Sequence, residues 1–278
     1  MPDTGLCLEA LSALSGCNVG STTGSSPLTP QDFVNIVALR EFYKQQGLEQ
    51  LEYPGVGSLS LEEQDRDMYS SPPALTEDPG LQESQRASVK INLEEFFHPQ
   101  FNYDFTSVRD GDTVFLRGNE PYVRPCGWSR VALRVSRKYD GNDRWLGTGK
   151  DAWPVSYHAH NMDGSLGIIL THDGIPENEP GFLDAAAASL TTGDTKGRGA
   201  YSTPDIKMAE KYCKVFKSKV DGKTYKVVLQ NRINPEKRKK CQREDVWLVY
   251  VPEGSNPVQT TAIVQESIRP YGLLLKQL

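Results

Sequence analysis

The sequence predicts an α+β fold built from twisted, mostly antiparallel β-sheets with short flanking helices. Three observations carry this reading. From Val89 onward strand-like runs dominate: Thr113–Arg117, Ser129–Ser136, Trp153–Tyr157, Thr224–Arg232, Val246–Val251, Thr261–Gln265 and Tyr271–Lys276. Helix signals between them are few and short, and no internal repeat is visible.

Three segments differ in composition. Residues 1–28 are rich in Ser, Thr and Gly and are expected to form a disordered tail. Residues 29–88 combine a helix with a Pro/Ser-rich linker. Thr29-Pro30-Gln31-Asp32 has the chemistry of a helix N-terminus, and Phe33, Ile36, Val37 and Phe42 give a mainly apolar face up to about Gln46. Such a face packs on the main domain or binds a partner, and packing is the commoner use. Pro, Ser, Gly and acidic residues then fill 52–88, as in a linker. Residues 89–278 form the sheet-rich domain.

Composition narrows the function. The 278-residue chain carries a net charge of −5, which gives no support to a general nucleic-acid-binding surface. It contains no run of about 18 apolar residues, so no membrane partner is expected. Asp3 and Glu9 stand where a secretory signal needs basic residues. The five cysteines, Cys7, Cys17, Cys126, Cys213 and Cys241, are odd in number and scattered, without a CxxC. That pattern predicts a reduced, intracellular compartment, cytoplasmic or nuclear, and no metal site.

Two segments carry the functional signal. Residues 197–212 read G-R-G-A-Y-S-T-P-D-I-K-M-A-E-K-Y. Gly197 and Gly199 allow backbone to approach a ligand closely. Tyr201 follows in a strand-like position. Thr203-Pro204-Asp205 is a helix start, and Ile206, Ala209 and Tyr212 share one face of that helix. Tyr201 and Tyr212 thus converge from a strand and a helix, as the two sides of a slot for a flat ring such as nicotinamide. A Gly-rich turn before a core helix is the plainer reading of the same residues. The second segment, Trp153–Ile175, is an apolar β-prone run ending at His158. A polar turn and helical spacing at Leu166, Ile169 and Leu170 come next.

In this order the two blocks resemble the catalytic domain of PARP-like (diphtheria-toxin-like) ADP-ribosyltransferases. That family has a strand ending in a histidine, usually within H-G-[ST], and later a G-x-G-x-Y strand. A helix then carries a second tyrosine, and a late strand carries a glutamate. Here the triplet is His158-Ala159-His160, the second block is Gly197 to Tyr201, and Tyr212 lies eleven residues further on. The likeness spans about residues 113–278. It extends to a subgroup with Y-x-R-P-C-G-W, here Tyr122–Trp128, and a terminal I-R-P-Y-G, here Ile268–Gly272.

The resemblance implies a mono-ADP-ribosyltransferase that uses NAD as substrate and has a protein or nucleic-acid acceptor. His158 would contact a ribose hydroxyl, and backbone groups of Ala159 and Gly199 would lie against the nicotinamide. Tyr201 and Tyr212 would sandwich the ring. The late carboxylate matches Glu244 or Asp245, before the strand Val246–Val251. Aligning back from Ile268 without a gap puts Val258 there instead, with no carboxylate; the strand pattern favours Asp245. The chain departs from the family at Ala159, at His160 and at Ala209, where many members have Gly, Ser or Thr, and Ser. From the residues themselves, Arg117, Arg124 or Arg130 could reach the pyrophosphate, a surface or structural role being the commoner use of such arginines. His160 could carry a proton near pH 7. Lys237-Arg238-Lys239-Lys240 reads as a solvated basic turn. An NAD glycohydrolase and a catalytically inactive interaction or NAD-sensing module remain as alternatives, separated by the presence of the carboxylate.

Overall fold

The computed structural model describes residues 2–25, 28–45, 50–53, 57–60, 88–162, 199–241, 245–252 and 254–278. The first part contains α1 (Thr4–Ser15), β1 (Asn18–Thr22), α2 (Pro30–Gln45), β2 (Gln50–Tyr53), β3 (Gly57–Ser60), β4 (Ser88–Asn92) and α3 (Leu93–Phe96). Next come β5 (Tyr103–Asp104), β6 (Phe115–Arg117), β7 (Glu120–Tyr122), β8 (Ser129–Ala132) and β9 (Val155–His158). The last part holds β10 (Gly199–Ser202), α4 (Ile206–Lys211), β11 (Val215–Lys217), β12 (Thr224–Ile233), β13 (Arg238–Lys240), β14 (Trp247–Tyr250), α5 (Pro257–Ser267) and β15 (Ile268–Gln277). The α+β class with short helices is as expected. Every strand pair among the described residues is antiparallel except β1 with β4.

The main sheet runs β11-β12-β15-β8-β5, with β9 also on β12. β15 pairs with the whole of β12, across a register shift between Gln230 and Asn231. On its other edge β12 takes β11 along its first residues and β9 from Leu229 to Arg232. β10, β14 and β13 form a second sheet. It meets the first at one bridge, where Tyr157 and Thr203 exchange two backbone hydrogen bonds of 2.7 and 3.0 Å. The sheets therefore part company just where β9 ends at His158 and β10 carries Tyr201.

Within the expected disordered tail over 1–28, the described residues instead form α1 and β1, and α1 is part of the core. Asp3 caps α1 by accepting from the Gly5 amide at 2.7 Å, and Gly16 closes the helix in the left-handed region, at φ 76°. Leu6, Cys7, Ala10, Leu11 and Leu14 are buried in one cluster with Val227 and Leu229 of β12 and Leu273 and Leu275 of β15. The 12 residues of α1 bury a full apolar stripe even though Ser, Thr and Gly dominate the average over 1–28. α2 starts as predicted. Thr29 Oγ1 accepts from the Asp32 amide at 3.2 Å, and Asp32 Oδ2 accepts from the Thr29 amide at 2.9 Å. Phe33, Val34, Ile36, Val37 and Leu39 join the same core cluster, and Gln31 Nε2 donates to the Ile268 carbonyl. α2 is thus a packed core helix, and 29–88 is not separate from 89–278 in its described part. The linker reading of 52–88 falls mostly on residues outside those described.

A second expectation fails at Thr261–Gln265, which is helix rather than strand. The β-branched run Thr260, Thr261, Ile263 and Val264 favours a strand intrinsically. Asn256-Pro257-Val258-Gln259 overrides it. Asn256 Oδ1 accepts from the Gln259 amide and Gln259 Oε1 from the Asn256 amide, both at 2.9 Å, with Pro257 at the first helical position. Asn256→Ala is expected to cost about 1 kcal/mol. Denaturant titration would show it as a lower midpoint with an unchanged slope.

Candidate functional site

His158 closes β9 and is fully buried. Its Nδ1 donates to the Tyr201 carbonyl on β10, at 2.6 Å. A carbonyl can only accept, so the proton sits on Nδ1, and in the neutral ring Nε2 is an acceptor. The histidine predicted to end a strand and the tyrosine predicted to follow a Gly-rich block therefore meet at the divergence of the two sheets. Tyr201 is fully buried as well. Burial, with the Cys241 thiol nearby, holds its phenol well above the usual range, so it is un-ionised at neutral pH.

Tyr212 comes to the same place from α4. The helix is capped by Asp205, whose Oδ1 accepts from the Lys207 amide, and Tyr212 closes its C-terminal end. The half-buried Tyr212 packs against the cluster of Tyr201, Met208, Cys241, Val246 and Leu248. Its carbonyl accepts from the Asn161 amide at 3.1 Å, which ties the chain after His158 to the end of the helix. Ala159 lies fully buried between them, and its carbonyl accepts from Met162. His158, Ala159, Tyr201 and Tyr212 thus form one neighbourhood.

Three other predicted residues are placed differently. Gly199 has φ 138°, and a Cβ there would sit 1.9 Å from the Val249 carbonyl oxygen. Its missing side chain makes room for the backbone of β14, not for a ligand. Asp245 occupies the turn before β14. Tyr201 stands opposite Leu248, so the tyrosine side of β14 carries Leu248 and Val246. Asp245 lies in that turn, three residues before Leu248, and the alternation of β14 does not extend to it. Glu244 lies outside the described residues, as do Gly197 and Arg198. Val258, the apolar alternative, is 79% exposed in the first turn of α5 and belongs to no strand.

Arg117 is not part of this neighbourhood. Its guanidinium lies 4.9 Å from the Tyr122 ring centroid, and the Tyr122 hydroxyl accepts from Gln230 Nε2 at 3.2 Å. Gln230 stands opposite Tyr157 on β9. Neighbouring residues of a strand face opposite ways, so Arg117 belongs to the Tyr157 face and His158 to the other. Arg124 is likewise engaged elsewhere, paired with Asp110.

His160 has a structural task that its sequence position concealed. It is buried, and its Nδ1 donates to the Leu14 carbonyl at the end of α1, at 2.8 Å. Arg40 of α2 donates to its Nε2 at 3.1 Å. The imidazole pins both N-terminal helices to the end of β9. Burial pushes the thiols of Cys7, Cys213 and Cys241 up to about 12, so none is a thiolate nucleophile at neutral pH. Sequence reasoning passed over Arg232. Gln230-Asn231-Arg232 inside the apolar run Val227 to Ile233 was the available signal, since buried polar residues need a reason. Among the described residues no group of three His, Cys, Asp or Glu is placed to hold a metal ion, and no helix is long and apolar enough to cross a membrane.

Comparison with known proteins adds no family: no protein-family model matches the chain, and no curated protein matches it.

Proposed function

We propose that the chain is an NAD-dependent mono-ADP-ribosyltransferase acting from within the cell on a protein or nucleic-acid acceptor. The observation that carries the reading is the His158–Tyr201 contact at 2.6 Å, with Tyr212 in the same apolar cluster. A histidine-and-two-tyrosine neighbourhood at the divergence of two sheets suits the binding of a flat ring and its sugar. In the proposed reaction the bond between nicotinamide N1 and ribose C1′ breaks, and nicotinamide leaves with the bonding pair. The oxocarbenium-like ribose is then attacked by an acceptor oxygen or nitrogen, which gives up its proton. His158 Nε2 accepts from a ribose hydroxyl and fixes the sugar, while Tyr201 and Tyr212 hold the leaving ring. A carboxylate from Asp245 or Glu244 stabilises the cation.

A specific observation favours a second reading. Tyr201 is fully buried, and Asp245 sits in the turn before β14 rather than on the strand that faces Tyr201. Both suit a PARP-like module that binds without catalysis. Labelled NAD separates the readings. The enzyme releases nicotinamide and transfers label to macromolecules, a glycohydrolase releases nicotinamide alone, and an inactive module does neither.

The carboxylate has its own test. Asp245→Asn and Glu244→Gln are each to be assayed for nicotinamide release. One of them is expected to fall by at least about tenfold, as for loss of a charged contact made in the transition state. Full activity in both would remove the late acidic pair from the mechanism.

A further inference from the structure

The cleft beside Arg117 has no part in the proposed reaction. It encloses about 320 Å³, and its walls include Arg117, Arg130, Arg232, Tyr271, Ser136 and Thr148. No carboxylate among the described residues lines it. Arg232 rises from inside β12 and is only 4% exposed. Its Nη1 donates to the Trp153 carbonyl at 2.6 Å, and its Nη2 to those of Leu146 and Gly147 at 2.7 and 3.0 Å. Carbonyls satisfy the N–H groups but leave the unit charge uncompensated. The Nε–H is buried and has no acceptor among the described residues.

Arg130 repeats the pattern. Its Nη2 donates to the Phe101 carbonyl at 3.1 Å, and its buried Nε–H has no acceptor among the described residues. Its stem lies across Gly272, where a Cβ would come within 2.9 Å of Arg130 Cδ. The glycine of the terminal I-R-P-Y-G motif is the floor on which Arg130 rests. The Tyr271 ring of the same motif stands near both guanidinium groups, 5.6 Å from that of Arg130 and 5.1 Å from that of Arg232. Among the described residues Arg117 hydrogen-bonds to the adjacent Leu116 carbonyl.

Three other arginines are treated differently. Arg124 pairs with Asp110, Arg238 with Glu120 and Arg269 with Asp140. An acidic chain thus neutralises those three and leaves Arg117, Arg130 and Arg232 together without an acid among the described residues. A clamp on the 146–153 segment explains the carbonyl bonds of Arg232. It does not explain why two more guanidinium groups converge on the same cleft against mutual repulsion. Burial already works against the Arg232 charge, and Arg117 adds to it. A dianion relieves all of this, and guanidinium is the side chain best matched to phosphate oxygens.

We propose that this cleft binds a small phosphate-bearing molecule, its phosphoryl group held by Arg117, Arg130 and Arg232 and its body against the Tyr271 ring. The volume lies at the small end for ligand sites, which suits a monophosphate. The site lies on the sheet face opposite His158 and does not depend on the NAD reading.

Calorimetric titration of the full chain at low salt with inorganic phosphate, ribose 5-phosphate and AMP tests it. At least one is expected to bind. The double variant Arg117→Gln/Arg130→Gln should weaken that binding by about tenfold or more, while Lys207→Gln/Lys211→Gln on α4 leaves it unchanged. Equal affinities for the three would assign recognition to the phosphoryl group alone. Tighter binding of AMP would add a ring contact with Tyr271. Arg232→Gln is avoided because it would release three backbone carbonyls. Failure of all three probes to bind, or binding undiminished in the double variant, overturns the proposal.

Discussion

His158→Ala is expected to lower NAD cleavage by at least about 100-fold, the usual scale for a group that positions the reacting sugar. The effect should fall mainly on kcat, because the hydroxyl contact gains strength as charge develops on the ribose. The same substitution removes a buried hydrogen bond to the Tyr201 carbonyl, at 2.6 Å in the native chain. Stability should therefore drop by about 1–3 kcal/mol. Circular dichroism and thermal unfolding must show a folded variant before its rate is interpreted. Nicotinamide release is the direct measurement, with Tyr212→Ala alongside as a variant that removes the ring contact but spares the histidine. A folded His158→Ala protein that turns over NAD at the native rate would exclude His158 from the chemistry. If the native chain itself releases no nicotinamide, the binding-module reading replaces the enzyme.

Gly199→Ala should be the most damaging of the small substitutions to the fold. The Cβ would lie 1.9 Å from Val249 O and 3.1 Å from Val251 N, and φ is 138°, where an L residue is strained in any case. Neither contact can be relieved by rotating a side chain. The β10–β14 ladder from Gly199–Tyr250 to Ser202–Trp247 would have to open. A loss of about 4 kcal/mol follows, at the upper end of single-substitution effects. For a chain of this size that is a fall in Tm on the order of 10 °C. Gly20→Ala is the control: β1 carries nothing within 4 Å of a Cβ there, and stability should change little. Equal melting of the two variants would show that the close approach at Gly199 is not real. The result also bears on the site, because β10 carries Tyr201. A strand pushed off β14 would move the carbonyl to which His158 donates.

Much of this was readable from residues in order. The strand at Thr224–Arg232 and that at Val246–Val251 appear almost as written, because long apolar β-prone runs leave the chain little choice. The start of α2 was legible from Thr29 to Asp32, since a cap is a local hydrogen-bond pattern. The convergence of Tyr201 and Tyr212 was readable from a strand, a helix start and their spacing, whereas His158 joined them only through the family resemblance. What failed did so where local and global preferences conflict. Thr260 to Val264 have strand propensity, and four residues of capping chemistry made them helix. The Ser-rich beginning of the chain hid a short helix whose apolar stripe matters only once β12 and β15 are there to receive it.

The sequence by itself determined the α+β class and the mostly antiparallel character of the sheets. Periodicity, capping and turn chemistry act between near neighbours, and near neighbours are what a sequence displays. Only the tertiary structure decided which face of the sheet each residue serves. His158 and Tyr157 differ by one position, yet one reaches Tyr201 and the other lies on the side of Arg117. That separation comes from the pleat together with the pairing of β9 on β12 and the bridge from Tyr157 to Thr203, just after β10. The same long-range pairing gathered Arg117, Arg130 and Arg232 from distant segments into one cleft. No spacing rule links positions so far apart, because their proximity is set by strand order and register rather than by the chain between them.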